Sequence, residues 1–325
     1  MKKAAGFLLH TLLIFVFVLT TPAYAATRQY ESSAALAIAG DTFFVVAPDQ
    51  TLVGWGDNEY GLLNQDDLAS ASFKQRRVLM KDTKSVYGGN FCVLALGTDG
   101  TLFGWGFDVF GQLCGLSPEA NDFRLKLMDD VVMAAVGSRH CVALKSDGSV
   151  WVWGSNNYGQ LGLGYKDDEF HMPQMVMDHV NAIYTFSDTT FAIKDDGSLY
   201  AWGGYTDESA SGVNTPNYVT SGISAVAFMK GNEYQLLTTD GKVLQYKCGS
   251  DTGELDFSKA VISSDIASGA RSITNSGYIS EDGSLWMWNR VEASGVLEKV
   301  MDNVSSATGR ADGFMLTVTT DGKLH

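Results

Sequence analysis

The sequence predicts an all-β fold, a ring of repeated sheets of the β-propeller kind, and three observations predict it. An Asp-centred hairpin followed by an aromatic strand occurs seven times: PDQTLVGWG at 48–56, TDGTLFGWG at 98–106, SDGSVWVWG at 146–154, DDGSLYAWG at 195–203, TDGKVLQYK at 239–247, EDGSLWMWN at 281–289 and TDGKLH at 320–325. From Asp49, the steps to Asp99, Asp147, Asp196, Asp240, Asp282 and Asp321 are 50, 48, 49, 44, 42 and 39 residues, periods that belong to propellers and solenoids. Within each unit, apolar residues alternate with small or polar ones around tight Gly turns, which excludes helical repeats.

The first element is a leader. Lys2 and Lys3 precede an apolar run from Phe7 to Leu19 and the small-residue pattern Ala23-Tyr24-Ala25, the signature of a secretory signal cleaved after Ala25. A run of that length spans about 20 Å as a helix, short of a bilayer core of about 30 Å. Residues 1–25 are therefore expected to be removed, and residues 26–325 to form one exported domain with no membrane span.

The third unit displays the elements in order. Val131 to Val136 is a first strand, ended by Gly137, and its small residues suit the crowded inner edge of a closed ring. His140 to Leu144 is a second strand, Asp147-Gly148 a two-residue turn, and Ser149 to Trp153 a third strand. Glycine serves the turn because positive φ costs a residue with a Cβ about 1–2 kcal/mol. Gly100, Gly148, Gly197, Gly241, Gly283 and Gly322 are the structural turn residues on this reading. The adjacent aspartates are turn residues too, bonding locally to the backbone.

In the third strand Trp151 and Trp153 share one face while Val150 and Val152 share the other. Both faces are apolar, as in a sheet sandwiched between two neighbours. Trp55, Trp105, Trp153, Trp202 and Trp288 fall at one register and are expected to fill the gaps between blades. A loop follows each Trp-Gly, clearest in GSNNYGQLGLG at 154–164 and GFDVFGQLCG at 106–115. A fourth, outer segment then ends in a Met-Asp turn, as in LMKD at 79–82, LMDDV at 127–131, VMDHV at 176–180 and VMDNV at 300–304.

These residues resemble the regulator of chromosome condensation repeat. The third unit carries the resemblance through Gly137, His140, Ala143, Leu144, Asp147, Gly148, Trp153, Gly154, Asn156, Gly159, Gln160, Leu161 and Gly162. It runs from about residue 34 to the end, and units four to six keep the hairpin but lose the Gly-Gln-Leu-Gly loop. WD repeats would need Trp-Asp where this chain has Trp-Gly, and kelch repeats a regular Gly-Gly doublet. The resemblance implies a seven-bladed β-propeller. Because the seventh unit reaches only Lys323-Leu324-His325, its blade is expected either to be incomplete or to be closed by residues 26–33, and closure by that segment is the favoured reading.

Charge and composition narrow the function. The chain holds 23 basic and 37 acidic residues, a net charge of −14, which argues against nucleic acid as a partner. Cys92, Cys114, Cys141 and Cys248 form no CxxC pair and no histidines cluster, so no metal or other cofactor is expected. Cys92 and Cys141, in NFCVLAL and RHCVAL, read as the same position of consecutive units; they are expected to be small buried hydrophobes, with a disulfide permissible after export. Asp167-Asp168-Glu169 and Asp129-Asp130 lack the alternating oxygens of a calcium loop and read as solvated acid.

The best reading is a secreted, monomeric, non-enzymatic module that binds another protein through its blade loops. Candidate contacts are Tyr60, Phe110, Tyr158, Tyr165 and Tyr205, with Asp207 and Glu208, since aromatics on rigid loops bury large areas at low entropic cost. The family's exported bacterial members include a secreted inhibitor of β-lactamases that grips its enzyme with loops on one face, so an enzyme inhibitor is the sharper alternative. A propeller hydrolase acting on an envelope polymer is the other. No nucleophile-elbow motif surrounds a serine, and His140 sits at the family's own structural histidine.

Overall fold

A computed structural model of the chain describes residues 36–58, 60–63, 72–116, 122–204, 213–230, 233–248, 261–288, 297–309, 315–321, 323 and 325. Each repeat folds as an antiparallel sheet whose strands neighbour one another in chain order, the first strand innermost. Blade 1 holds β1 (Leu36–Ala39), β2 (Thr42–Val46), β3 (Leu52–Asp57) and β4 (Ser72–Met80). Blade 2 holds β5 (Thr83–Gly88), β6 (Cys92–Gly97), β7 (Leu102–Gly106) and β8 (Leu125–Met128). Blade 3 holds β9 (Val131–Val136), β10 (His140–Lys145), β11 (Val150–Ser155) and β12 (Phe170–Met177). Blade 4 holds β13 (Val180–Phe186), β14 (Thr189–Lys194), β15 (Leu199–Gly203) and β16 (Val213–Thr220). Blade 5 holds β17 (Ile223–Lys230), β18 (Glu233–Thr238), β19 (Val243–Lys247) and β20 (Val261–Ala267). Blade 6 holds β21 (Ala270–Thr274), β22 (Gly277–Ser280), β23 (Leu285–Trp288) and β24 (Leu297–Met301).

The seventh unit gives a two-stranded sheet, β25 (Val304–Gly309) and β26 (Met315–Thr319). Among the described residues the architecture is therefore an all-β propeller of six four-stranded blades, not the seven expected, with the last unit incomplete. After β26 the chain turns at Asp321 and pairs back through Lys323 and His325 alone: Thr319 N–H donates to Lys323 O at 2.9 Å, and Thr317 and His325 exchange bonds of 3.0 and 2.8 Å. The ring closes nonetheless, because Val318 packs with Leu36 and Val45 of blade 1 in one enclosed cluster. Residues 26–33, expected to assist closure, lie outside the described residues, as do the leader and Gly322.

The repeated hairpin does more than turn the chain. Its carbonyl accepts the N–H of the first residue of the next blade: Thr83 to Gln50, Val131 to Gly100, Val180 to Gly148, Ile223 to Gly197, Ala270 to Gly241 and Val304 to Gly283, at 2.9–3.1 Å. Positive φ at these residues, +63° at Gln50 and +79 to +85° at the five glycines, points each carbonyl at its neighbour. The hairpin aspartates take the local role read from sequence, as in the bonds from Ser149 N–H to Asp147 (2.9 Å) and Ser198 N–H to Asp196 (2.9 Å).

The tryptophans face backward, each toward the preceding blade. Trp105, Trp153 and Trp202 are wholly enclosed, and Tyr246 takes their place in blade 5. Trp55 and Trp288 are half-buried, against expectation. Trp55 faces the two-stranded sheet, which has no third strand among the described residues; it stacks on Phe43 at 5.8 Å with Arg76 over its ring. The outer strands β12 and β16 each carry a proline, Pro173 and Pro216, where a missing N–H discourages pairing with another chain. No helix among the described residues is long and apolar enough to cross a membrane.

Candidate functional site

On one face of the ring, the loops between first and second strands alternate with the loops that follow each Trp-Gly. In blades 1 to 3 the sequence fixes the second set through a few local hydrogen bonds per loop. Asn58, Asp108 and Asn156 hold equivalent positions and accept the N–H of Leu63 (2.7 Å), Leu113 (2.9 Å) and Leu161 (3.3 Å), curling each loop around its own buried leucine. The loop carbonyl then takes the indole N–H of the next blade: Trp105 to Leu62 O (2.7 Å), Trp153 to Gln112 O (2.7 Å) and Trp202 to Gln160 O (3.0 Å). Finally, Gln112 and Gln160 turn their side-chain oxygens to the N–H of Phe110 (3.0 Å) and Tyr158 (2.8 Å). The Gly-Gln-Leu motif thereby latches neighbouring blades and sets the position of an aromatic ring.

Those rings join into an arc. Tyr60 meets Phe91 edge-on at 5.2 Å and stacks on Phe107 at 6.2 Å, and Phe91 meets Phe110 at 5.9 Å. The Arg139 guanidinium then bridges, 5.5 Å from the Phe110 ring and 4.8 Å from the Tyr158 ring. Contacts of this kind contribute about 0.5–1 kcal/mol when exposed and more when dry. Beside Arg139, burial pushes the carboxyl of Asp188 up, and the arginine's charge offsets part of the rise. Phe107 presents 54% of its surface to solvent, the rest of the arc being half-buried. A depression of about 220 Å³ is lined by the inner-strand ends of blades 1 to 4, including Gly89, Gly137 and the residues just before Phe91 and Arg139 of the arc, Asn90 and Ser138. Gly137 is required there: a Cβ would lie 2.4 Å from the His140 ring and 2.7 Å from Ser187 O.

Three of the residues expected from sequence, Tyr60, Phe110 and Tyr158, are thus brought together. Tyr165 is exposed and packs edge-on against His171 at 5.9 Å, away from the arc's ring contacts. Tyr205, Asp207 and Glu208 lie outside the described residues. Phe91, Phe107 and Arg139 were missed, although each stands beside an element that repeats, Phe91 and Arg139 just before the second strand and Phe107 just after Trp-Gly.

The ionisable groups are engaged in structure. His140 is wholly enclosed; its Nε2 lies 2.8 Å from Thr190 Oγ1, whose hydroxyl donates to Gln160 O at 3.1 Å. The threonine proton being spent, Nε2 carries the histidine's proton and Nδ1 is a bare acceptor. Burial lowers the imidazole to about 3, so it stays neutral. Asp129 pairs with Lys126 at 2.9 Å and accepts from Thr101, while Asp167 pairs with His171 at 2.8 Å. Among the described residues, no group of three His, Cys, Asp or Glu side chains could hold a metal ion.

Two family models match this chain, both described as Regulator of chromosome condensation (RCC1) repeat, one over residues 99–144 and 147–184 and the other over 133–160. Residues 99–184 are thus similar to the RCC1 repeat, each longer match running from one hairpin into the next blade. No curated protein matches. Among solved structures, human WBSCR16 has a TM-score of 0.70 at 20% identity over 87% of this chain and 86% of its own. Prp20p from Saccharomyces cerevisiae, described with its binding properties to Gsp1p and histones, has a TM-score of 0.66 at 15% identity, covering 84% of this chain and 79% of its own. Yeast RCC1 (Prp20) bound to Kap60 gives 0.55 at 19% identity, covering 68% and 59%. These likenesses are of fold.

Proposed function

We propose that this protein is an exported, non-enzymatic module that holds another protein against the aromatic arc of blades 1 to 4. The single observation that carries the reading is the arc itself: five rings and a guanidinium, joined by ring and cation contacts and set in part by latched loops. Tyr, Phe and Arg on a rigid frame are the residue types that anchor protein interfaces. The RCC1-like neighbours named with Gsp1p, histones and Kap60 support a protein as the partner class. A net charge of −14 favours a partner whose contact rim is basic and disfavours a phosphate backbone. His140, neutral and enclosed, is a poor candidate for a general base, which weighs against the hydrolase reading.

Affinity capture from the envelope fraction of the producing cells tests this, with the wild type beside two variants. Phe107→Ala with Arg139→Ala alters the arc, and Asp240→Asn with Lys242→Ala alters the hairpin face. A partner weakened at least about 30-fold by the first variant and unchanged by the second is expected. Retention by the arc variant and loss by the hairpin variant would overturn the proposal.

A further inference from the structure

Cys92 and Cys141 do not occupy the same position of their repeats, contrary to the reading from sequence. The hairpins set the alignment: Gly97 N–H bonds Thr101 O at 2.8 Å, and Lys145 N–H bonds Ser149 O at 2.9 Å, so Gly97 and Lys145 correspond. Counting back, Cys92 stands where His140 stands in blade 3, while Cys141 corresponds to Val93. The pairing agrees, since Cys92 lies opposite Gly106 and His140 opposite Gly154, whereas Val93 and Cys141 lie opposite Trp105 and Trp153. One residue along a strand reverses the face. Cys92 therefore looks forward to blade 3 and Cys141 back to blade 2. Both are wholly enclosed in one cluster with Leu94, Leu96, Ala143 and Trp153 at the interface of the two blades.

The next two interfaces repeat the arrangement with other chemistry. His140 reaches forward to Thr190 of blade 4 at 2.8 Å, and Thr189 is hydrogen-bonded to Tyr234 of blade 5. A forward-looking and a backward-looking side chain thus meet at the same level of three successive interfaces. In the last two they are polar partners; between blades 2 and 3 they are two thiols.

We propose that Cys92 and Cys141 are an oxidisable pair that forms a disulfide tying blade 2 to blade 3. Exchange with a low-molecular-weight disulfide such as oxidised glutathione balances the step. One thiolate attacks the glutathione disulfide and expels a glutathione thiolate; the second cysteine then attacks the mixed disulfide and expels the other. Two thiols of the protein lose two protons and two electrons, and two glutathione thiols gain them. Burial raises the Cys141 thiol, and the Cys92 contact adds to the rise. Cys114, half-buried beside the pair in the same cluster, is pushed up to about 12 by burial and by Asp108. Cys92 and Cys141 are both wholly enclosed in the folded ring, out of reach of glutathione, so the bond forms while the chain folds.

The test refolds the reduced full-length protein from denaturant in a glutathione redox buffer, then denatures it, alkylates free thiols and maps the peptides. The expected result is one disulfide joining the peptides of Cys92 and Cys141, label on Cys114 and Cys248, and a Tm about 5 °C above that of the same protein after reduction. Folded reduced protein exposed to the same buffer is expected to oxidise at least about 10-fold more slowly than the refolding chain. Label on all four cysteines of the refolded protein, or a linkage through Cys114 or Cys248, would overturn the proposal.

Discussion

Trp153 and Trp288 hold the same register in their blades, yet Trp153 is wholly enclosed and Trp288 half-buried. The difference lies in what the preceding blade offers. Blade 2 supplies a Gly-Gln-Leu loop whose Gln112 carbonyl takes the indole of Trp153 at 2.7 Å. Blade 5 has no such loop in its sequence, and Trp288 is served instead by the Gln235 side chain, oriented so that its amide oxygen accepts at 2.6 Å. Tyr246, which takes the indole's place in blade 5, is wholly enclosed. Two fastenings run through this ring, then. The hairpin carbonyl clasp operates at every junction from blade 1 to the seventh sheet, and the indole latch joins blades 1 to 4 alone among the described residues. The arc stands on the latched part.

The largest effect expected from this contrast is at the two indoles. Trp153→Ala should cost about 3–5 kcal/mol in urea unfolding and Trp288→Ala less than half as much. Equal losses would break the distinction between latched and unlatched blades. His140 gives the next test, through pH. Its folded value near 3 lies below its ordinary 6.5, so its contribution is complete above about 6.5 and is lost as pH falls toward about 3. Stability should drop by up to about 1.4 kcal/mol per pH unit in that window, and His140→Gln should flatten the slope. A wild-type profile flat between pH 6.5 and 4 would contradict the enclosed, neutral imidazole.

The clasp, unlike the latch, should be the same in both parts. Gly100→Ala and Gly241→Ala, at φ +85° and +80°, are each expected to cost about 1–2 kcal/mol, because the clasp needs the left-handed backbone in both. A loss confined to Gly100 would show that the clasp, too, weakens around the ring. The smallest effect is at the turn carboxylates. Hydrogen bonds from Ser280 and Ser284 hold Asp282 at about 2, below its ordinary 3.8. Its contribution is complete above about 4 and disappears as pH falls toward about 2, so Asp282→Asn should blunt that acid limb slightly.

Much of this was legible in the sequence, because a propeller repeats its local rules. Asp-Gly with an aromatic strand marked the blades, and the loop motif located Phe110 and Tyr158. What escaped lies between blades, where single-residue offsets matter. The Cys92 and Cys141 motifs look superimposable by letters, but the ladders differ by one place and turn the thiols toward each other. Phe91 and Arg139 escaped because they sit where the repeat prescribes nothing, and a binding surface is built from such positions. The shortened seventh sheet, and with it the exposure of Trp55, depends on pairing at 317–325 that the motif TDGKLH does not reveal.

The central claim is that the latched blades present the arc to a protein partner. Native-state hydrogen exchange, run on the protein alone and saturated with the captured partner, tests it most directly. The account predicts partner-induced protection at 60–63, 107–113, 139–140 and 158–161, with the hairpins at 99–101, 147–149, 196–198 and 240–242 unchanged. Protection at those hairpins with the arc unaltered would contradict it.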